Sequence, residues 1–297
     1  MFVFLLIARY IFYSISIAAK KEKNIMIIDF HVHYHPSDDP RSDRMILDEM
    51  DKYGIEKSLI LATPDHPRYV NLGMTGFNER VFSFVSKTPD RLFMAAYIEP
   101  RNVMEAQTQI QNYYDRGVRF FKMWPGHGYS PDDPMIYPVW EKLNDLKATV
   151  IFHTGMLGVR PQLGEKINRM AGFNAKFGQP VLFDHPARIF PDVNFVLAHT
   201  AYPWTLEALE MCFMFKNIYL DFSCGLGYEA YNLINRLRPG RLAWERFIFG
   251  TDTAGAPGAA GRYVTRWSEM MKDPFFAPHA EDFFYNNARN LLTRAGF

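Results

Sequence analysis

The chain has 297 residues, of which 48% are hydrophobic and 22% are charged, an ordinary composition for a globular protein. Its 33 basic and 32 acidic residues leave a net charge of +1 without a basic stripe, which argues against nucleic acid as a partner. Only two cysteines, Cys212 and Cys224, are present, so a disulfide framework is excluded and a reducing compartment is expected.

The first 25 residues form an apolar extension before the first predicted strand. Residues 1–19 are almost wholly apolar, and the mostly basic run 20–23 follows them. As a membrane span this segment would carry Arg9 near its middle, at a cost of about 2.5–3.5 kcal/mol, and as a secretory signal it lacks a basic leader. We favour a translation start at Met26 over a membrane anchor. In both cases residues 26–297 are expected in the cytoplasm, because lysines that follow an inserted segment stay on that side.

From Met26 onward, short apolar runs alternate with longer amphipathic runs, which is typical of parallel βα units. The apolar runs predict eight strands, at 26–31, 57–62, 92–98, 118–123, 148–153, 194–199, 217–223 and 246–251. The amphipathic runs predict helices at 41–53, 103–116, 134–146, 205–215, 262–272 and 280–292. This alternation favours a single-domain (β/α)8 TIM barrel over an open sheet, and no Gly-x-Gly-x-x-Gly motif follows the first strand. The irregular segment 156–180 is expected to form a lid or an extra helix over the barrel mouth.

The first predicted strand runs into two histidines that are one residue apart, His31 and His33. Successive side chains of a strand alternate between its faces, so Asp29, His31 and His33 are expected on one face and Ile28 and its alternate neighbours on the other. Two imidazoles on one side of a strand end can bind one divalent cation. A lone His-x-His motif is weak support for such a site, because it also occurs by chance on exposed strands.

Three later strands end on residues of the same chemical kinds. The fifth ends on His153, the sixth on His199 and the eighth on Asp252. Because the carboxyl ends of the strands of a TIM barrel meet on one face, these three side chains are expected to surround one point together with His31 and His33. Each residue alone could be an ordinary polar residue at the end of its strand, with its hydrogen bonds made to the neighbouring backbone. Five of them at four strand ends favour a shared site.

These motifs resemble the amidohydrolase superfamily, and most of all its amidohydrolase-related branch of metal-dependent hydrolases and decarboxylases. The resemblance extends from Met26 to the C-terminus and rests on four motifs: Asp29-Phe30-His31-Val32-His33, Phe152-His153-Thr154-Gly155, Ala198-His199 and Phe249-Gly250-Thr251-Asp252. It implies an enzyme that acts on a small-molecule substrate. It also implies that His31, His33, His153 and Asp252 are metal ligands and that His199 has a catalytic role beside them. The sequence leaves the oligomeric state open, and a homo-oligomer is compatible with it.

Three imidazoles and a carboxylate suit one divalent cation per chain. Zn²⁺ is the expected ion, although Mn²⁺, Fe²⁺ and Co²⁺ accept the same ligands. A water in the open coordination position can have a pKa near 7. Asp252 is the candidate base that takes a proton from this water, and His199 could polarise the substrate carbonyl or stabilise the developing oxyanion. Asp29 could orient a ligand imidazole or accept backbone donors, and both readings stay open.

Lys122, near the end of the fourth predicted strand, has three alternative roles. It could be carboxylated and bridge a second metal, as in other branches of the superfamily, bind a substrate carboxylate, or extend its stem along the barrel rim. The branch that the chain resembles usually works with one metal, which favours substrate binding or structure. Trp124 and His127 belong to the loop after the same strand and could shape the substrate pocket with Tyr129.

Three functions compete at this point. The first is a metal-dependent hydrolase that opens an amide, lactone or ester bond of a small molecule. The second is a non-oxidative decarboxylase of an unsaturated or aromatic carboxylic acid, and the third is a binding protein without activity. Decarboxylases of the branch commonly follow the histidine of the fifth strand with Pro and then an aromatic or basic residue. Here His153 is followed by Thr154-Gly155, which favours hydrolysis.

Overall fold

A computed structural model describes residues 25–34, 41–63, 77–156, 174–238 and 240–297. Its eight strands are β1 Ile27–His33, β2 Ile55–Leu61, β3 Leu92–Tyr97, β4 Phe120–Met123, β5 Thr149–His153, β6 Asn194–Ala198, β7 Ile218–Asp221 and β8 Phe247–Ile248. Its α-helices are α1 Arg41–Tyr53, α2 Phe77–Val85, α3 Val103–Asp115, α4 Tyr137–Asp145, α5 Asp184–Ile189, α6 Thr205–Met214, α7 Leu226–Leu237, α8 Ala259–Met270 and α9 Asn287–Arg294. The predictions for residues 1–24 and for most of the segment 156–180 lie outside the described residues. No helix within the described ranges is both long and apolar enough to cross a membrane.

The eight strands are parallel and neighbour one another in chain order, and a helix follows each of them. The segment after β8 returns to β1 through three backbone hydrogen bonds. Phe30 N donates to Phe249 O at 3.0 Å, Asp252 N to His31 O at 2.8 Å, and His33 N to Thr253 O at 2.7 Å. These bonds bring the last strand against the first, and the predicted TIM barrel is confirmed.

The core has an inner part within the barrel and an outer part between the strands and the helices. Phe30 and Phe120 belong to the inner part, where their rings meet edge to face at 5.6 Å. Leu291 and Leu292 of α9 join the same inner cluster. The ring of Phe297 lies 4.8 Å from that of Phe93, near the start of β3. The C-terminal helix therefore packs over the amino end of the barrel, which leaves the carboxyl end for a functional site.

Strand β1 contains a bulge that changes the predicted alternation of its side chains. Asp29 pairs with Ser58 and Val32 with Ile60, so β1 advances three residues where β2 advances two. Phe30 consequently stays with the inner cluster while Val32 joins the outer one. Asp29 lines a small space under α1 and α8 together with Val32. The expectation that Asp29 shares a face with His31 and His33 is therefore wrong, because the bulge inserts one residue between them.

Candidate metal centre

Three ligand-type atoms form a compact triangle at the barrel mouth. His31 Nε2 lies 3.3 Å from His33 Nε2 and 3.4 Å from Asp252 Oδ1, and His33 Nε2 lies 3.1 Å from the same oxygen. Atoms that bind one cation at about 2.1 Å stand about 3.0–3.4 Å apart in octahedral or tetrahedral geometry. The spacing and the chemistry of these donors fit a divalent transition-metal ion.

The backbone at the end of the barrel sheet fixes the position of Asp252. Its N–H donates to His31 O, and its φ of +57° lies in the left-handed region, which is uncommon for a residue with a side chain. Burial alone would raise the pKa of the Asp252 carboxyl. The hydrogen bond from His33 and the charges of the neighbouring histidines instead hold that pKa well below its usual value. The carboxylate is therefore ionised at neutral pH, as a metal ligand must be.

His153 and His199 stand beside this triangle. The ring of His199 lies 4.9 Å from that of His31 and 4.7 Å from that of His153. His153 Nε2 is buried and has no hydrogen-bond partner among the described residues. Burial lowers the pKa of His199 to about 4 and holds the pKa of His153 well below its ordinary value, so both rings are neutral at pH 7. A neutral imidazole with an unpartnered buried nitrogen has a lone pair available for a cation.

Asp221, at the end of β7, holds the first ligand histidine in place. Its Oδ2 contacts His31 Nδ1, and the Ser223 hydroxyl lies 3.4 Å from the same nitrogen. Burial raises the pKa of Asp221 to about 7, and the nearby charge of Lys122 opposes this shift. A carboxylate bound to one imidazole nitrogen fixes the ring and leaves the other nitrogen for a metal.

Sequence reasoning missed Asp221 and Ser223. The available signal was that the apolar run Ile218-Tyr219-Leu220 ends on Asp221, the pattern already noted for three other strands.

Asp29 contributes to the site by accepting hydrogen bonds from the backbone at His31 and next to Asp252. Its carboxylate accepts hydrogen bonds from His31 N at 3.2 Å, from Thr251 N at 2.9 Å and from the Thr251 hydroxyl at 2.7 Å. Burial raises the pKa of this carboxyl to about 7, although these hydrogen bonds oppose the shift. The sequence leaves two roles open for Asp29, and the one observed is the acceptance of hydrogen bonds from backbone N–H groups. Asp29 thereby joins β1 to the residue just before Asp252.

Lys122 lies on β4 with its amine inside the barrel mouth. The residue is 4% exposed, and Nζ has no hydrogen-bond partner among the described residues. Burial lowers the pKa of this amine to about 8, opposed by the charges of Asp221 and Asp252. The amine of Lys122 therefore interacts electrostatically with the carboxyl groups of Asp221 and Asp252.

The other predicted pocket residues follow β4. The ring of Trp124 lies 5.0 Å from that of His127, and His127 Nδ1 lies 2.8 Å from Tyr97 Oη and also contacts Glu99. His127, Tyr97 and Glu99 line a cavity of about 520 Å³ together with residues of α2 and α3. Tyr129 is buried against Phe152 instead.

A family model described as Amidohydrolase matches residues 28–294. A comparison with curated proteins found no match. Among solved structures, an uncharacterized TIM-barrel protein from Bordetella bronchiseptica is 23% identical, with a TM-score of 0.69 over 92% of this chain and 100% of that one.

Two further solved structures carry names that describe a reaction. A 5-carboxyvanillate decarboxylase from Sphingomonas paucimobilis is 15% identical, with a TM-score of 0.60 over 91% of this chain and 99% of that one. A probable 2-pyrone-4,6-dicarboxylic acid hydrolase from Acinetobacter baumannii is 12% identical, with a TM-score of 0.61 over the same shares. At these identities the structural likeness establishes the fold alone.

Proposed function

The chain belongs to the amidohydrolase family, and we propose that it is a metal-dependent hydrolase that acts on an amide, lactone or ester bond of a small molecule. One observation carries this proposal. The donor atoms of His31, His33 and Asp252 lie within 3.4 Å of one another, and the second carboxylate oxygen of Asp252 faces His199, with Oδ2 3.9 Å from Nδ1. This arrangement supports a cation on one side of Asp252 and a reacting group on the other.

The proposed metal ligands are His31, His33, His153 and Asp252, with one divalent ion per chain. Zn²⁺ suits this set of nitrogen and oxygen donors, and Mn²⁺, Fe²⁺ and Co²⁺ suit it too. When bound, the cation supplies Lewis-acid polarisation of a carbonyl and lowers the pKa of a coordinated water. His153 Nε2 is buried and finds no partner within the part of the chain that the structure describes, which supports its inclusion, because a cation would satisfy that nitrogen.

Asp252 and His199 are the proposed catalytic residues. Asp252 would accept the proton of the attacking water on Oδ2 and pass it to the leaving group. The Ser223 hydroxyl lies 2.9 Å from His199 Nδ1, and when it donates there, the proton of the neutral ring is on Nε2. Nε2–H can then donate to the substrate carbonyl oxygen as negative charge develops on it.

Lys122, Trp124 and His127 are the proposed substrate-binding residues. The buried Lys122 amine has no hydrogen-bond partner in the described ranges, which is costly, and an ion pair with a substrate carboxylate would offset that cost. Trp124 offers an apolar ring beside the polar His127. A carboxylated small molecule with a flat or apolar part fits this combination.

The second candidate is a decarboxylase of an unsaturated or aromatic acid. The structural similarity to the 5-carboxyvanillate decarboxylase from Sphingomonas paucimobilis is compatible with such a reaction. The turn after β5 counts against it. Gly155 has a φ of +80°, and a Cβ built there would lie 2.5 Å from Tyr202 O. An aromatic or basic side chain could follow Thr154 only with a shift of the loop at Tyr202. The conformation of this turn therefore supports the hydrolase reading over the decarboxylase reading.

Isotope labelling of the products separates the two reactions. Purified protein is incubated with panels of lactones, amides, esters and aromatic acids in H₂¹⁸O. A hydrolase places one ¹⁸O in the newly formed acid, whereas a decarboxylase releases CO₂ and, in D₂O, leaves one deuterium on the carbon that lost it. Asp252→Asn serves as the inactive control. Release of CO₂ without ¹⁸O in the organic product would replace the hydrolase proposal by the second candidate, and tight ligand binding without turnover would replace both.

We also propose that residues 26–297 form one catalytic domain and work in the cytoplasm, with residues 1–25 as an extension outside it. Expression of the chain from Met26 tests this division. A folded product with the same turnover and metal content as the full chain is expected. Cell fractionation of the two forms then tests the alternative of an N-terminal anchor, because only the longer form would sediment with membranes.

A further inference from the structure

The outer surface of helices α6 and α7 carries several large apolar side chains that are exposed. Within the described ranges, thirteen such side chains are exposed, and five of them lie on this surface. The five are 39–54% exposed: Tyr202, Leu206, Phe213, Met214 and Leu237. Apolar side chains that are concentrated in one place mark an interaction surface rather than an ordinary solvent-exposed face.

A groove of about 380 Å³ lies between the start of α6 and the outer face of α7. Tyr202 and Thr205 line it on one side, and Glu229, Leu233 and Arg236 line it on the other. Thr205 is buried, and its hydroxyl has no hydrogen-bond partner among the described residues. The groove therefore offers apolar contacts, a hydroxyl and two charged groups to an occupant.

The two charged groups of the groove are opposite in sign and lack a partner in the described part of the chain. Glu229 and Arg236 are both exposed, and neither makes an ion pair or a hydrogen bond to the residues that the structure describes. On the same surface Arg241, by contrast, lies 2.9 Å from Glu210. Seven residues are about two turns of an α-helix, so Glu229 and Arg236 stand on one face of α7, about 10.5 Å apart along its axis.

A second copy of this chain complements both helices at once. Helices α6 and α7 run side by side in the same direction, because each follows a parallel strand. A two-fold axis at right angles to them sets each helix antiparallel to its counterpart. Glu229 of one copy then faces Arg236 of the other, and the reverse pair forms at the opposite end. The same axis sets Leu206 opposite Phe213 of the second copy, since these exposed residues are also seven apart.

We propose that the chain forms a two-fold symmetric homodimer through α6 and α7, with two Glu229–Arg236 ion pairs across the interface. The proposal does not depend on the proposed reaction, because it uses no residue of the metal centre. The interface extends to Tyr202, which follows His199 by three residues. The second copy therefore covers the turn that carries this proposed catalytic residue.

Charge reversal tests the pairing without a substrate. Sedimentation velocity of the full chain over a range of concentrations is expected to show a dimer for the wild type. Glu229→Arg sets like charges opposite each other at both ends of the interface, and Arg236→Glu does the same with the other sign. Each should weaken dimerisation by at least about 100-fold. Glu141→Arg, on the exposed surface of α4, is the control and should dimerise like the wild type.

Two rescue experiments separate a lost ion pair from a damaged fold. The double variant Glu229→Arg/Arg236→Glu should dimerise again, because each charge once more faces one of opposite sign. An equal mixture of Glu229→Arg and Arg236→Glu should form a mixed dimer for the same reason, although neither variant pairs with itself. Circular dichroism checks that both single variants are folded.

The outcomes decide the proposal in either direction. Loss of the dimer in both single variants, with rescue in the double variant and in the mixture, would support it. A wild type that sediments as a monomer at every concentration would overturn it, as would a dimer that Glu229→Arg leaves intact. Loss in the single variants without either rescue would also overturn it, because the antiparallel pairing requires both.

Discussion

His31 on the first strand is held by Asp221 on the seventh, although 190 residues separate them along the chain. The contact joins the Nδ1 atom of a proposed metal ligand to a carboxylate that is itself fully buried. Since the ring cannot rotate without losing this partner, its Nε2 is directed at His33 and Asp252 before any cation arrives. The site is therefore pre-organised by a residue that lies outside the ligand triangle.

Asp221→Asn should weaken binding of the cation by about 10- to 100-fold, because the amide no longer offers a charged partner to His31. Competition with a chromophoric chelator measures the affinity, and circular dichroism checks the fold. Asp48→Asn, on the exposed face of α1, is the matched control and should bind like the wild type. Equal affinities of the two variants would show that Asp221 does not tune the site.

His31→Ala and His199→Asn should fail in different ways. The protein as purified is expected to carry about one equivalent of a divalent transition metal. His31→Ala should lose this metal, whereas His199→Asn should retain it and lose turnover by about 10²- to 10³-fold, the effect of removing an oxyanion donor. Metal analysis and turnover of each variant, once a substrate is found, decide the matter. If both variants lose metal equally, the proposed separation of roles is wrong.

Glu49→Ala should destabilise the fold without touching the site. The buried Glu49 carboxylate accepts from Gly258 N at 2.7 Å and from Ala260 N at 3.2 Å, at the amino end of α8. Removing this cap should cost about 1–2 kcal/mol of unfolding free energy, measured by urea denaturation. The exposed Glu141→Ala should change it by less than about 0.5 kcal/mol. A null effect of Glu49→Ala would mean that water replaces the cap at no cost.

Glu99 should contribute stability that disappears in acid. Burial would raise the pKa of Glu99, but hydrogen bonds from His127 and Arg101 lower it from 4.5 to about 2. Because the folded pKa is the lower one, this stabilisation is present above pH 4.5 and is lost as the pH falls toward 2. Glu99→Gln should therefore be less stable than the wild type at pH 7, with a difference that shrinks between pH 4.5 and 2. Urea denaturation across this range measures it, with Glu210→Gln as a surface control; a constant difference would contradict the shift.

The barrel could be predicted because each strand is a short apolar run and the runs alternate with amphipathic ones. The meeting of His31, His153 and His199 at one mouth follows from that topology. The bulge in β1 could not be predicted, since it depends on the register between β1 and β2 rather than on residue types. The predicted helix 280–292 is likewise divided into a π-helical turn, Asp282–Asn286, and α9, because packing against the barrel floor decides its course.

The packing of α9 and Phe297 against the amino end of the barrel also bears on how ligands come and go. Phe297 meets Phe93 and Phe120 there, and Leu291 and Leu292 extend the same inner cluster. Through the described part of the chain, arriving substrate and departing product therefore share one passage. A product still bound blocks the next molecule, and product inhibition of the purified enzyme should be competitive with substrate.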